Sequence, residues 1–212
     1  MKTLSLIIAI LFVLVNRAGA AAVYVDMAGT VVQNNYTPTS PLNAVAVGSP
    51  AHTSFQVDSN AFLNSSTFPV RGYSIIPASF VTTLGSANVV LNSSVVPPQP
   101  FFSVRNNDPA VDGFIISNGV DFLTRIPTNF SSAGLEFVCS YPQSTLSSLD
   151  ILGAVGTYTT SGLSLLEWDL GVGESIGIDI NYNSMVISVP EPASLGLLAL
   201  ALPLLGRRAR RN

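Results

Sequence analysis

Glu167 and Asp169 are spaced so that an alternating strand over Leu163–Leu170 would turn both carboxylates to one side. Two carboxyl groups at a set separation are what glycoside hydrolysis requires. A solvent-facing strand with Leu166, Trp168 and Leu170 turned inward has the same spacing. His52 is the only histidine, so it is the only base a Ser–His pair could use. No Gly-x-Ser-x-Gly elbow accompanies it, and Pro50-Ala51-His52-Thr53 reads as the approach to a strand with a surface histidine. Asn106, Asp108 and Asp112 lie in the most oxygen-rich stretch of the chain. That density suits calcium, which takes six to eight oxygen ligands, although the EF-hand spacing is absent. A solvated turn opened by Asp108-Pro109 is the plainer reading. Trp168 and the tyrosines Tyr24, Tyr36, Tyr73, Tyr141, Tyr158 and Tyr182 would suit a sugar-stacking platform if exposed, and a core if not. Cys139 falls in line with Leu135 and Phe137 and reads as a small buried hydrophobe. No catalytic residue is assigned and no cofactor is expected; the one metal candidate is the Asn106, Asp108, Asp112 set.

The elements that would position these groups are strands. Ile176, Ile178, Ile180 and Tyr182 alternate with Ser175, Gly177, Asp179 and Asn181. Leu135, Phe137 and Cys139 share a face within Gly134–Cys139. Further strands are expected at Val23–Asp26, Leu42–Val47, Ser54–Val57, Gly72–Ile76, Phe80–Leu84, Asn88–Leu91, Phe101–Arg105, Gly113–Ser117 and Val120–Ile126. Asn118-Gly119 predicts a two-residue type I′ hairpin that sets Ser117 opposite Val120 and Ile115 opposite Phe122. Helix signals are thin: Leu146, Leu149 and Leu152 allow one short helix or 3-10 turn within Ser144–Leu152. Short strands punctuated by proline predict an all-β fold, an antiparallel β-sandwich of jelly-roll type.

The chain has 212 residues, of which 48% are hydrophobic and only 10% charged. Such a composition excludes an intrinsically disordered chain, which needs low hydrophobicity and high net charge. One cysteine and one histidine exclude an internal disulfide framework and any Cys-rich or all-histidine metal site. Charge is unevenly placed. Residues 23–188 hold three arginines, Arg71, Arg105 and Arg125, against eleven carboxylates, a net of −8. An acidic domain of this kind repels nucleic acid, which is not an expected partner.

The basic residues gather at the ends. Residues 1–22 have the form of a secretory signal peptide: Lys2, an apolar run over Leu4–Val15, and a small-x-small cleavage site at Ala18-Gly19-Ala20, with Ala20-Ala21-Ala22 as the alternative. At the other end Val189-Pro190-Glu191-Pro192 precedes an apolar stretch over 193–206 and a basic cluster over 207–212 holding Arg207, Arg208, Arg210 and Arg211. As a helix, 193–206 would rise roughly 21 Å against the ~30 Å hydrocarbon core. Arg207 can snorkel toward the interface, and the arginines place this end on the cytoplasmic side.

This tail resembles the PEP-CTERM sorting signal of Gram-negative, biofilm-forming bacteria. The likeness rests on Val189, Pro190, Glu191 and Pro192, then the short apolar helix, then the arginine cluster. Ala209 interrupts the basic run and Pro203 sits within the helix. The resemblance implies processing by an exosortase near Pro190-Glu191-Pro192, with 193–206 as a transient anchor and the arginines as a retention charge. Its partners would be that enzyme and the secretion machinery, with the membrane engaged through the C-terminal helix before processing.

The expected organisation is therefore a signal peptide (1–22), a β-sandwich ectodomain (23–188) and a sorting tail (189–212). The expected localisation is exported, anchored through the C-terminus, then cell-surface or extracellular. The expected role is structural and non-enzymatic, at the surface or in the matrix. The alternatives are a carbohydrate-binding module, calcium-dependent or not, with exopolysaccharide as partner; an ice-binding module; and a secreted glycoside hydrolase.

Overall fold

The computed structural model describes residues 21–92, 100–121, 124–130, 134–159, 167–171 and 177–190, for 167–171 the backbone alone. Ala22–Val189 form one compact unit. Its strands are β1 (Ala22–Asn34), β2 (Pro50–Asn64), β3 (Val70–Ile75), β4 (Val81–Leu84), β5 (Ala87–Val90) and β6 (Phe101–Arg105). There follow β7 (Val111–Ser117), β8 (Ile126–Pro127), β9 (Gly134–Pro142), β10 (Gly156–Thr159), β11 (Glu167–Gly171) and β12 (Ile178–Ser188). All pair antiparallel in one large sheet with the path β10-β12-β1-β2-β3-β6-β7-β9-β11. Strand β4 branches from β2 and carries β5, and β8 pairs with β9. Among the described residues no helix is long and apolar enough to cross a membrane.

Alternation explains the core. Val23, Val25 and Met27 of β1, Ala51, Phe55 and Val57 of β2, and Ile178, Ile180 and Tyr182 of β12 all turn inward and are buried. The β1–β12 pairing is broken where a bulge inserts one residue. Between Ala28 and Gly29 the β1–β12 register shifts, and the buried set of β12 moves from Ile178, Ile180 and Tyr182 to Met185 and Ile187. Strand β2 is the branch point. His52–Ser54 pair with β4, Val57 with Ile75 of β3, and after a further register shift Phe62–Asn64 pair with Tyr73–Arg71.

One contiguous core results, rich in aromatic contacts between strands distant in the sheet. The Phe55 ring stacks on Phe80 at 5.5 Å and meets Phe102 edge-on at 5.4 Å. Phe137 of β9 meets Tyr182 of β12 edge-on at 5.8 Å, and Phe114 of β7 meets Tyr158 of β10 at 4.9 Å. Such pairs add about 0.5–1.5 kcal/mol each beyond their buried area.

Three expectations need correction. Leu42–Val47 is not a strand: Pro41–Ala44 form a 3-10 turn, with Pro41 at its start and the Ser40 hydroxyl accepting from the Leu42 N–H. The Asn118-Gly119 hairpin does not form. Strand β7 already has β6 on one side and β9 on the other, so Ser117 lies opposite Phe101 and Ile115 opposite Ser103 and Val138. The chain instead leaves the ladder after Ser117, the Asn118 N–H donates to the Thr124 carbonyl at 2.8 Å, and among the described residues of the expected Val120–Ile126 strand only Ile126 joins a ladder, as the start of β8; Phe122 and Leu123 lie outside the described residues. Within Ser144–Leu152 the 3-10 turn falls later, at Ile151–Ala154, capped by Asp150. Residues 163–166 and 174–176 of two expected strands lie outside the described residues.

Gly29 lets β1 approach β12 closely. A Cβ there would sit 2.2 Å from the Asn181 carbonyl oxygen. Gly29→Ala is expected to destabilise the fold by about 1–3 kcal/mol as the backbones separate. Thermal unfolding followed by circular dichroism reads this as a lowered midpoint; an unchanged midpoint would show that the two strands can part there freely.

Candidate functional site

The two faces of the β3-β6-β7 segment differ. Tyr73, Phe102, Val104, Phe114 and Ile116 fill the inner face and are at most 1% exposed. The outer face carries Val70 and Gly72 of β3, Phe101, Ser103 and Arg105 of β6, and Gly113, Ile115 and Ser117 of β7. Past Ser117 the chain folds back over this face. Val120 lies over Gly72, where a Cβ would come 2.3 Å from the Val120 Cγ1. Beneath this roof is a cavity of about 180 Å³ whose walls include Phe68, Ser103, Arg105, Asp108, Val120 and Asp121.

Its polar atoms are unevenly satisfied. Arg105 runs across Gly113 and donates through Nη2 to Ser140 Oγ and to the Cys139 carbonyl. Gly113 leaves the passage open, since a Cβ there would lie 3.2 Å from Arg105 Nη2 and 2.0 Å from the Cys139 carbonyl oxygen. Arg105 Nε and Ser103 Oγ are buried with no hydrogen-bond partner among the described residues. Asp121 Oδ1 accepts from Ser65 Oγ at 2.5 Å, which ties the roof to the β2–β3 connection. Phe68 stands at the rim, 44% exposed. Only Asp108 of this set was marked in the sequence. Arg105 carries one signal, as one of three cations in residues 23–188; Ser103, Asp121 and Phe68 carry none, because the segment that gathers them has the composition of a hairpin turn and strand.

The calcium candidates do not converge. Asp112 is fully buried, and its two oxygens accept from the Asn107 N–H and the Leu146 N–H, both at 2.8 Å. It thereby ties the left-handed turn at Asn107 (φ 58°) to the segment before Ile151–Ala154. Asn106 Oδ1 accepts from Asn107 Nδ2, and Asp108 faces the cavity. No group of three His, Cys, Asp or Glu that could hold a metal ion occurs among the described residues.

His52 lies on the outer face of β2, its Nε2 2.9 and 3.0 Å from the Asp26 carboxylate oxygens. Both side chains are about half exposed, so the pair is worth at most ~1 kcal/mol. No hydroxyl hydrogen-bonds to the other ring nitrogen among the described residues. Glu167 and Asp169 pair through the backbone with Val138 and Glu136, and Trp168 with Phe137; the side chains of 167–171 lie outside the description. The tyrosines do not make an exposed platform. Tyr36, Tyr73 and Tyr182 are buried, Tyr141 and Tyr158 pack on each other and on Phe114, and only Tyr24 is exposed. Burial pushes the phenol of Tyr182 far up, against a smaller opposing effect of the Thr53 hydrogen bond.

At the ends, Ala22 opens β1, and Val189 and Pro190 are exposed just beyond β12. Ala18, Ala20, Glu191, Pro192, the 193–206 stretch and the arginine cluster lie outside the described residues. No family model, curated protein or solved structure matches the chain.

Asp112→Ala strands two backbone N–H groups in the interior, each worth about 1–3 kcal/mol. The expected result is a drop of several kcal/mol in urea unfolding; a loss under 1 kcal/mol would show that water reaches both. Cys139 has its own signature. Burial pushes its thiol from the ordinary 9.0 up to about 12. The folded chain should resist thiol reagents at pH 8 and react once unfolded. Because the unfolded thiol ionises first, stability holds below about pH 9 and declines from there toward pH 12. Rapid labelling of the native chain at pH 8 would contradict this burial.

Proposed function

We propose that the chain is an exported surface or extracellular-matrix protein, anchored through its tail until an exosortase processes it, with a structural, non-enzymatic ectodomain. The observation that carries this reading is the tail itself: Val189-Pro190-Glu191-Pro192, an apolar stretch over 193–206, and four arginines among the last six residues. Two features support it. Strand β12 ends at Ser188, and Val189 and Pro190 are exposed, so the motif starts where the ladder stops. Ala22 already pairs with Asp58, so cleavage after Ala20 leaves β1 whole.

The ectodomain we read as a two-layer sandwich. The β2 branch divides the sheet path, and the ring contacts of Phe137 with Tyr182 and Phe114 with Tyr158 join strands far apart along it. Both support a sheet folded back over one core.

A second reading, carbohydrate binding, is favoured by the cavity under Val120 with its unpartnered Ser103 and Arg105 atoms. An ice-binding face would need a regular threonine array, whereas the outward positions of β1, β2 and β4 mix Asp26, His52, Ser54 and Thr83.

Deleting Val189–Asn212 should send the protein into the medium with no surface retention; a truncated chain that still fractionates with the envelope would sink the anchoring claim. Under the second reading, the full chain should bind the host's exopolysaccharide saturably and equally in calcium and in chelator, since both Asp112 oxygens already hold backbone donors. Absence of binding in both buffers would retire that reading.

A further inference from the structure

We infer that the cavity beneath the Ser117–Asp121 segment is a binding subsite for a single neutral sugar ring, one residue of a glycan or its end. The inference rests on the carbohydrate-binding reading and gives it a place.

The site is built from an imbalance. Ser103 is 1% exposed and its hydroxyl oxygen has no partner among the described residues. Two residues along the same strand face, the buried Arg105 Nε is in the same condition. An unsatisfied buried polar group costs about 1–3 kcal/mol. Here two such groups are neighbours and both residues wall one cavity, which is the arrangement expected where a ligand completes the hydrogen bonds.

The charges select the ligand's class. The walls carry one guanidinium, Arg105, and two carboxylates, Asp108 and Asp121. A phosphate or uronate would meet two like charges, and a metal cation would meet the arginine. A hydroxyl suits both signs: it accepts from Arg105 Nε–H and donates to a carboxylate oxygen. Several hydroxyls on one ring serve Ser103, Arg105 and an aspartate together. Phe68, Val70, Ile115 and Val120 add apolar wall that matches the C–H face of a sugar, and the Ser117 hydroxyl beside them is already bound to the Gly119 carbonyl. Size sets the limit. At about 180 Å³ the cavity holds roughly six water volumes of ~30 Å³, less than the ~300 Å³ at which drug-sized pockets begin. That is room for one ring and not for a chain lying flat.

The test uses the full chain in a detergent without a sugar headgroup. Methyl glycosides of glucose, galactose and mannose are titrated by saturation-transfer difference NMR, with glucuronate and inorganic phosphate as charged comparators. At least one neutral glycoside is expected to bind saturably and more tightly than either comparator. Ser103→Ala removes a hydroxyl that makes no internal bond, so the variant should melt no lower than the parent and bind at least fivefold more weakly. Phe68→Ala, at the exposed rim, should weaken binding by a similar factor. The proposal is overturned if no neutral glycoside binds, if a comparator binds more tightly, or if both variants bind like the parent. Should the parent and both variants bind exopolysaccharide alike, the carbohydrate reading stands and this cavity is not its site.

Discussion

Strand β2 is the constraint on which the rest of the fold depends. It pairs with three others, β1, β4 and β3, as β9 does with β7, β8 and β11. A strand has only two edges, so a third partner requires that it change neighbours along its length. It does so between Ser54, the last residue paired with β4, and Val57, the first paired with β3, and the register with β3 then shifts between Val57 and Phe62. Before that point Thr53, Phe55 and Val57 face the core; beyond it Phe62 and Leu63 are about half exposed. A straight β2 would carry its apolar alternation past the core and leave β3 to β11 without a way back to it. The Phe55 ring, set against both Phe80 and Phe102, holds the inner side of this junction.

Several connections are fixed by buried polar contacts that stand in for ladder bonds. Tyr73 OH donates to the Leu149 carbonyl and accepts from the Ile151 N–H, pinning the approach to the Ile151–Ala154 turn. Asp112 holds the other end of that approach at Leu146. Thr53 links Thr82 of β4 to Tyr182 of β12 by hydroxyl contacts of 2.8 and 2.6 Å with no exposure to water. Each of these has its partners in place, the condition under which a buried polar group specifies a fold instead of weakening it. Against them, the unpartnered Ser103 and Arg105 atoms stand out as exceptions.

Much of the strand content was legible in the sequence because half-buried strands write themselves as alternation. Phe101–Arg105 matches at both ends, bounded by Pro100 and the turn at Asn106. Gly134–Cys139 and the β12 alternation at Ile178, Ile180 and Tyr182 were equally clear. Two local signals misled. Asn118-Gly119 is a strong hairpin turn by its residues, but β7 has both edges taken by β6 and β9, and pairing between strands distant in sequence overrode the turn. Val45 and Val47 gave Leu42–Val47 a strand's composition, while Pro41 and Ser40 capped it as a 3-10 turn. Asp112 has the local signal of a solvated loop oxygen, because its burial depends on Leu146, 34 residues away. The cavity was illegible for the same reason: its walls come from three separate stretches of chain, 68–70, 103–108 and 115–121.

Where such a site can exist at all follows from packing. The inner face offers no room, since Phe102, Val104, Phe114 and Ile116 are each completely buried in a core filled by rings and branched chains. The outer face of a sheet is open but gives a ligand contact on one side only. A concave site arises only where the chain folds back over that face, and the covering segment must then be held off the sheet by something other than close packing. At Gly72 the roof comes down onto the backbone, because no side chain resists Val120. Toward Arg105 it is held up, with Asp121 tied sideways to Ser65 and the guanidinium stretched across Gly113 to Ser140. Two glycines thus set the height of the roof at one end and the course of the arginine at the other. The cavity is the space between those two constraints, and two of the three buried side-chain atoms left without partners among the described residues, Ser103 Oγ and Arg105 Nε, belong to residues on its walls.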